Sequence, residues 1–204
     1  MTTDSDAAAI AASLTRPGEF AAIFDRHAAS LHRFLARRVE PADADNLLGD
    51  VFRIAFERRE TFDLAQDSAR PWLYGIATNL IARHRRSEGR RMRAMVALAA
   101  RRADVHDVVG ERASETVDAS DSFTRLVDAI DTLPDAERDT LLLFAWEELG
   151  YDDIALALGV PVGTVRSRLN RARRRLRAQA DDAALTRTRS ARRVDEHHTE
   201  DDPR

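Results

Sequence analysis

The sequence contains no cysteine and no lysine, and the absence of cysteine limits what the protein can be. Without cysteine there is no disulfide framework, no thiolate zinc site and no thiol nucleophile. All 32 basic residues are arginine, a side chain suited to bidentate contacts with phosphate and guanine. The first residues, MTTDSDAAAIAASL, lack a basic start, and no apolar run approaches the length of a membrane span. We therefore expect no signal peptide and a soluble, cytoplasmic protein.

Sequence signatures of common catalytic sites are also missing. There is no Walker-type loop, no dinucleotide-binding glycine pattern and no nucleophile elbow. His27 and His32 are five residues apart, which is off the spacing of two metal ligands on one helical face. His84 lies among arginines, and His197 and His198 lie in a polar tail where solvation is the simpler interpretation. We expect no catalytic residues, no metal and no cofactor.

The segment YDDIALALGVPVGTVRSRLNRARRRLR, residues 151–177, predicts two helices joined by a tight turn. Gly159 supplies the backbone freedom to leave a helix, and Pro161 cannot continue one. Thr164 is a reasonable cap for the second helix. Each helix has one apolar face, formed by Tyr151, Ile154, Ala155 and Leu158 in the first and by Val165, Leu169, Ala172 and Leu176 in the second.

The other face of the second helix is basic and polar, with no acid from Val162 to Arg177. Such a helix suits the major groove of DNA, because arginine pairs with phosphates or guanine edges while Ser and Asn bond base edges. A solvated basic helix is the alternative. The turn, the short first helix and the missing acids favour DNA binding. The face consists of Arg166, Ser167, Asn170, Arg171, Arg173, Arg174 and Arg177.

The chain as a whole predicts an all-α protein, because no segment alternates apolar and polar residues as strands do. Helical periodicity is dense over 17–93 and returns over 121–178, so we expect two small helical domains, the second a helix-turn-helix. Residues 94–120 have weak periodicity and predict a flexible linker with some transient helix. The alternative for its first part is that MRAMVALAARR, residues 92–102, ends a longer helix. Residues 1–16 predict a flexible lead, and 179–204 lack an apolar face and predict a disordered tail.

Breaks inside the first domain are marked by proline. Glu40-Pro41 separates two amphipathic helices, and Pro71 stands at a helix-start position. The apolar residues that form the helix faces are Phe20, Ile23, Phe24, His27, Leu31, Phe34 and Leu35, then Leu47, Leu48, Val51, Phe52, Ala55 and Phe56.

A second basic cluster follows the helix that starts near Pro71. Trp72, Tyr74 and Asn79 precede the arginines, and such residues can stack on and bond unpaired bases. Packing is the alternative for Trp72, because aromatic residues at helical spacing are usually core, and Asn79 could satisfy a local backbone group. The cluster consists of Arg83, Arg85, Arg86, Arg90, Arg91 and Arg93.

At this point the residues resemble a family. PVGTVRSR followed by RAR, within residues 161–173, is similar to the promoter-binding C-terminal domain of extracytoplasmic-function (ECF) sigma factors of bacterial RNA polymerase. NLLGDVFRIAFERRETF and PWLYGIATNLIARHRR resemble the polymerase-binding and DNA-melting domain of the same family. The two matches occur in the expected order, with a linker between them.

The resemblance implies two DNA contacts. In the family the second helix of the C-terminal domain reads the upstream (−35) promoter element, and the N-terminal domain captures an unpaired base of the downstream (−10) element. The upstream role would fall on Arg166, Ser167, Asn170 and Arg171, with Thr164, Arg173 and Arg174 chiefly on phosphates. The downstream role would fall on Phe62, Trp72, Asn79, Arg83 and Arg86, with the loop 62–69.

The resemblance also implies a polymerase contact, through Asn46, Leu47, Leu48, Asp50, Val51 and Phe52. The family commonly has acid-leucine-x-glutamine-acid there, whereas this chain has Asn46-Leu47-Leu48-Gly49-Asp50. A glycine inside a helix costs about 1 kcal/mol relative to alanine. The implied partners are core RNA polymerase, promoter DNA and an anti-sigma protein, with the protein at the nucleoid when polymerase-bound.

Two other functions fit parts of the sequence. A stand-alone helix-turn-helix regulator would use 17–93 as a sensing or dimerising domain. A helical adaptor would use the basic helix to contact an acidic protein. An assay with core polymerase distinguishes the three hypotheses, because only a sigma factor makes the polymerase start transcription at specific promoters.

Overall fold

The computed structural model describes the backbone of residues 5–102 and 126–198, with side chains over 5–95 and 126–181. All regular structure in these ranges is helical, as predicted. The helices whose two ends are described are α1 (Asp6–Ser13), α2 (Ala21–Ala36), α3 (Pro41–Glu57), α4 (Arg70–Arg102), α5 (Asp135–Ala145), α6 (Tyr151–Leu158) and α7 (Val162–His198). Helical backbone also covers 126–131. Short 3-10 turns cover Pro17–Phe20 and Arg59–Thr61.

Proline defines two of the helix starts, as the sequence predicts. Helix α3 begins at Pro41 after Glu40 in extended backbone, and α4 begins at Arg70 with Pro71 next. Proline is favoured in a first turn because its missing N–H would have no helical partner there. Helices α2, α3 and α4 then pack around a core that includes Ile23, Leu31, Phe34, Leu35, Val51, Leu73 and Ile81.

The first residues differ from the predicted flexible lead over 1–16. Asp6–Ser13 form helix α1, capped by the Ser5 side chain, which accepts a hydrogen bond from the Ala8 N–H. Ile10 is fully buried and Ala9 nearly so. Ile10 and the small side chain of Ala9 let the helix pack closely against the domain.

The other predicted boundaries also shift. Helix α4 continues to Arg102, so the alternative that MRAMVALAARR ends a longer helix is the one the structure has. The later residues of the predicted linker 94–120 lie outside the described part. Helix α7 continues to His198, where 179–204 suggests disorder. No glycine or proline stands between Gly163 and His198, so nothing local stops the helix.

Compact units also divide the chain differently from the predicted domains. One unit joins Met1–Ala113 with Leu142–Val165, and the other joins Ser114–Leu141 with Arg166–Arg204. The first half of the helix-turn-helix therefore packs with the N-terminal helices, chiefly α6 on α4. Sequence periodicity cannot reveal this grouping, because it reports which face of a helix is apolar and not which helix covers it.

Candidate nucleic-acid interface

The helix-turn-helix has the turn that the sequence predicts. Gly159 adopts the left-handed conformation, with φ 61°, immediately after α6. The Val160 N–H then donates to the Ala155 carbonyl at 3.0 Å, which satisfies one of the last helical acceptors. Helix α7 begins at Val162, so Thr164 lies inside the first turn instead of capping it.

Helix α7 has an apolar face and a polar face, as predicted. Val165, Leu169 and Ala172 are buried. Arg166, Asn170 and Arg174 are exposed and four residues apart, so they form one stripe along the helix. Ser167 and Arg173 are half-buried beside it. The stripe has the charge and the amide group that recognition of a major groove requires.

Arg171 has a carboxylate partner on another helix. Its Nε lies 3.1 Å from Oε1 of Glu137 on α5, and the Arg175 Nε lies 3.0 Å from Oε2 of the same residue. The Glu137 side chain is only 8% exposed, so two cations offset the cost of burying it. Sequence reasoning missed Glu137, because only the fold places an acid beside α7.

Three predicted −10 residues lie around one cavity in the N-terminal unit. The rings of Phe62 and Trp72 are 5.2 Å apart and tilted, with Phe62 buried and Trp72 half-buried. Asn79 is exposed and lies two helical turns after Trp72. All three line a cavity of about 280 Å³, here called the Trp72 cavity. An open cavity with an aromatic wall and an amide suits an unpaired base.

Arg83 and Arg86 are not part of the Trp72 cavity. Both are exposed and line a separate groove of about 510 Å³ with Asp50, Arg53 and Arg90. Helix α4 turns by 100° per residue, so side chains that are close in sequence can serve different surfaces. The structure thus separates the aromatic and the arginine parts of the predicted downstream site.

Tyr74 is a core residue and not a stacking platform. It is 1% exposed, and its ring meets the edge of Phe34 at 5.1 Å between centroids. Its hydroxyl donates to the Glu147 carboxylate. Burial, together with this acceptor, raises the pKa of Tyr74 to about 12, so the phenol remains a donor at neutral pH.

The predicted polymerase residues on α3 divide between the core and the surface. Leu47, Val51 and Phe52 are buried. They pack on the inner face of α3 and present little surface to a partner. Asn46 is exposed, and Leu48 and Asp50 are half-exposed. Gly49 is exposed as well, with open space around it.

The described histidines pair with acids. The His27 Nε2 atom lies 2.7 Å from Oδ2 of Asp6, and the His32 Nε2 atom lies 3.1 Å from Oδ1 of Asp45. The His84 Nε2 atom lies 3.6 Å from Oδ2 of Asp43. Among the side chains described, no three acids or histidines form a metal-binding group. Nor does any helix in the described ranges have the length and apolar character to cross a bilayer. His197 and His198 lie beyond the described side chains.

Comparison with known proteins shows the family to which the chain belongs. The Sigma-70 region 2 model matches residues 23–91, and the Sigma-70 region 4 model matches residues 123–176. The chain is 36% identical to the RNA polymerase sigma factor HrpL of Pseudomonas syringae pv. syringae, over 76% of this chain and 83% of that protein. It is 30% identical to the ECF RNA polymerase sigma factor SigL of Mycobacterium tuberculosis, over 90% and 98%.

This chain belongs to the ECF sigma factors of the sigma-70 family. Two solved structures share its fold. One is CnrH in complex with the cytosolic domain of CnrY, with TM-score 0.61, 23% identity and coverage of 88% of this chain and 99% of that chain. The other is the sigma factor RpoE in complex with the anti-sigma factor NepR from Bartonella quintana, with TM-score 0.58, 22% identity and coverage of 80% and 97%.

As a sigma factor, the protein binds core RNA polymerase, recognises promoter DNA at the −35 and −10 elements and promotes melting of the duplex. Sigma factors are transcription initiation factors. The prediction of the family from the sequence is confirmed.

Proposed function

We propose that this sigma factor reads the −35 element with the exposed stripe of α7 and captures a −10 base in the Trp72 cavity. Arg166 and Asn170 are the base-reading residues, with Ser167 beside them. Arg174, Arg173 and Thr164 contact phosphates. Arg171 serves mainly to hold α7 on Glu137, because its guanidinium is committed to that acid.

The observation that carries the −10 assignment is the convergence of Phe62, Trp72 and Asn79 on one cavity. Stacking of a base on an aromatic side chain contributes about 1–3 kcal/mol, which offsets the cost of unstacking it from the duplex. The Asn79 amide can bond the base edge. Arg83 and Arg86, in their own groove, would follow the phosphates of the same strand.

Polymerase binding is assigned to the outer side of α3. Asn46, Leu48 and Asp50 are the members of the predicted set that a partner can reach. An amphipathic helix can present such residues to a partner helix while Leu47, Val51 and Phe52 remain in its own core. Nucleotide addition is left to the polymerase, and the site of action is the cytoplasm, at the nucleoid. An anti-sigma protein, as NepR is for the related RpoE, is a further proposed partner.

Reconstitution with core polymerase tests this function. Core enzyme plus the protein, with genomic DNA as template, should produce transcripts that start at a shared promoter sequence. Binding to duplex DNA without initiation would instead mark a regulator, and binding to neither polymerase nor DNA would mark an adaptor. Promoters found in this way supply the templates for the residue-level tests below.

A further inference from the structure

Helix α1 is joined by hydrogen bonds to both ends of the segment that contains the loop 62–69. At the start of the helix, Oδ2 of Asp6 accepts a hydrogen bond from the backbone N–H of Ala69 at 2.8 Å. At its end, the Ser13 carbonyl accepts a hydrogen bond from Nε of Arg59 at 3.4 Å. Arg59 stands just before the loop, and Ala69 is its last residue. A helix of eight residues therefore bridges the two ends of this loop.

The Asp6 side chain is buried and held in place from a second helix. It is only 7% exposed, and its carboxylate contacts both Arg26 and His27 of α2. A buried carboxylate is costly unless it is paired, so these two partners allow a strong acceptor to stand inside the fold. The acceptor is thus fixed by α1 and α2 before it meets the loop.

Ala69 connects the loop to the rest of the domain. Two hydrogen bonds shape the exposed part of the loop, in which Asp63 accepts from the N–H groups of Ala65 and Gln66. These two bonds form a turn but do not attach it to the domain. Ala69 is fully buried. Its N–H donates to α1, and its carbonyl accepts from the N–H of Leu73 at 2.9 Å, in the first turn of α4.

The position of this loop matters for the Trp72 cavity. Phe62, Asp63 and Gln66 form a loop wall of the cavity, while Trp72 and Asn79 belong to a wall on α4. A base has to fit between the two walls. Groups that recognise a ligand need other residues behind them to fix their positions.

We propose that Asp6 is a positioning residue for −10 recognition, because its bond to Ala69 fixes the end of the loop and sets the loop wall of the cavity against the α4 wall. The inference rests on the proposed −10 role of the cavity. Asp6 acts through the backbone of the loop and does not touch DNA. It also gives a role to α1, which precedes the residues 23–91 that the Sigma-70 region 2 model matches.

Deleting the one N–H group tests this role without changing a side chain. Lactic acid in place of Ala69, introduced by amber suppression in cell-free translation of the full chain, puts an ester oxygen where the N–H meets Asp6. Holoenzyme with this chain should bind a single-stranded −10 oligonucleotide of the mapped promoter about tenfold more weakly. Its affinities for core polymerase and for duplex DNA with the −35 element should be unchanged.

The control is lactic acid at Ala42, in the exposed first turn of α3, where N–H groups have no helical partner. This chain should match the parent in all three affinities. An unchanged −10 affinity for the Ala69 ester, or an equal loss of affinity for the −35 duplex, overturns the proposal. The ester also keeps the test valid if side-chain variants of Asp6 do not fold.

Side-chain variants separate positioning from stability. Asp6→Ala removes the acceptor and should weaken −10 binding as the ester does. Asp6→Asn removes the charge but keeps an oxygen for the Ala69 N–H, because the Arg26 side chain is 29% exposed and can turn toward solvent. Its −10 affinity should therefore be close to that of the parent. Ile10→Val removes one buried methylene from the same helix and should bind like the parent. Equal losses for Asp6→Ala and Asp6→Asn, or a comparable loss for Ile10→Val, would make α1 a source of stability only.

A measurement without DNA distinguishes failure of this inference from failure of the proposed function. The chain has two tryptophans, so Trp146→Phe leaves Trp72 as the only one. Acrylamide should quench its fluorescence more readily with the Ala69 ester or Asp6→Ala than with the Ala42 ester or Asp6→Asn. Equal quenching overturns the positioning role, whether or not the protein directs transcription. If quenching changes but no chain yields promoter-directed transcripts with core polymerase, the proposed function is refuted and Asp6 still positions the loop.

Discussion

Oδ2 of Asp6 accepts a hydrogen bond from the backbone N–H of Ala69 at 2.8 Å, across 63 residues of chain. The same oxygen lies 2.7 Å from Nε2 of His27, and Oδ1 accepts from Nη1 of Arg26 at 3.0 Å. Ala69 is the residue before α4, at the end of the loop 62–69. One buried carboxylate therefore ties the N-terminal helix to the segment that leads into Trp72.

This carboxylate should make stability depend on pH in the acid range. Burial alone would raise its pKa, but the hydrogen bonds from His27, Ala69 and Arg26 outweigh burial and lower the pKa of Asp6 from 3.8 to about 2. Because the pKa is lower in the folded state than in the unfolded chain, the ionised Asp6 carboxylate stabilises the fold above pH 3.8. This stabilisation is lost as the pH falls toward about 2. This contribution of Asp6 to the free energy of unfolding amounts to about 2 kcal/mol. Urea unfolding of Asp6→Asn at neutral pH should show a loss of this order that shrinks below pH 3.8, whereas Asp67→Asn in the exposed loop should match the parent.

Arg166→Ala should weaken discrimination within the −35 element by about 1–3 kcal/mol if the guanidinium bonds a guanine. Arg174→Ala is the matched comparison on the same stripe, and a phosphate contact there should reduce affinity equally for every sequence. Holoenzyme binding to the mapped promoter and to its single-base variants separates the two patterns. A uniform loss for Arg166→Ala would make that residue a phosphate contact as well.

Asn79→Ala should impair opening of the promoter and leave polymerase binding intact. Loss of one hydrogen bond to the captured base should lower holoenzyme affinity for the single-stranded −10 segment by about 1 kcal/mol. The affinity of the same holoenzyme for duplex DNA that carries the −35 element should be unchanged. Asp67→Ala, in the exposed loop before α4, is the control for general effects on this region. A drop in core polymerase affinity for Asn79→Ala would show that the residue is structural.

Two glycines should respond in opposite ways to the same substitution. Gly49 lies inside α3 with nothing within 4 Å of the position that a Cβ would take, so Gly49→Ala should stabilise the fold by about 0.5–1 kcal/mol. Gly159 also has open space, but its φ is 61°, so Gly159→Ala should destabilise by about 1–2 kcal/mol. Thermal unfolding of both variants checks the sign. A loss of stability at Gly49 would mean that helix propensity does not govern that position.

Local signals allowed the helix-turn-helix to be predicted in detail. Gly159 needs a left-handed backbone, Pro161 stands just before α7, and the apolar period places Val165, Leu169 and Ala172 inside. Each of these depends on neighbours within one or two turns. The proline helix starts at positions 41 and 71 were predictable for the same reason.

Long-range partners explain what the sequence could not show. Asp6 makes α1 part of the fold through atoms at positions 27 and 69, and nothing near Asp6 in the sequence indicates them. Arg171 looks like any other arginine of α7 until the fold supplies Glu137. The polymerase-binding residues were predicted from the family resemblance, and only burial in the fold separates the inward side chains from the reachable ones.

The sequence by itself determined the all-α class, the turn between α6 and α7, the two basic surfaces and the family. The first three follow from side-chain period, backbone preference and charge, which act over a few residues, whereas the family follows from the resemblance of two motif-bearing segments. Only the tertiary structure decided that Phe62, Trp72 and Asn79 share a cavity, that Arg83 and Arg86 belong to another groove, and that α6 covers α4. Those relationships depend on which apolar faces meet and on where buried carboxylates find their donors. Helical periodicity leaves both undetermined.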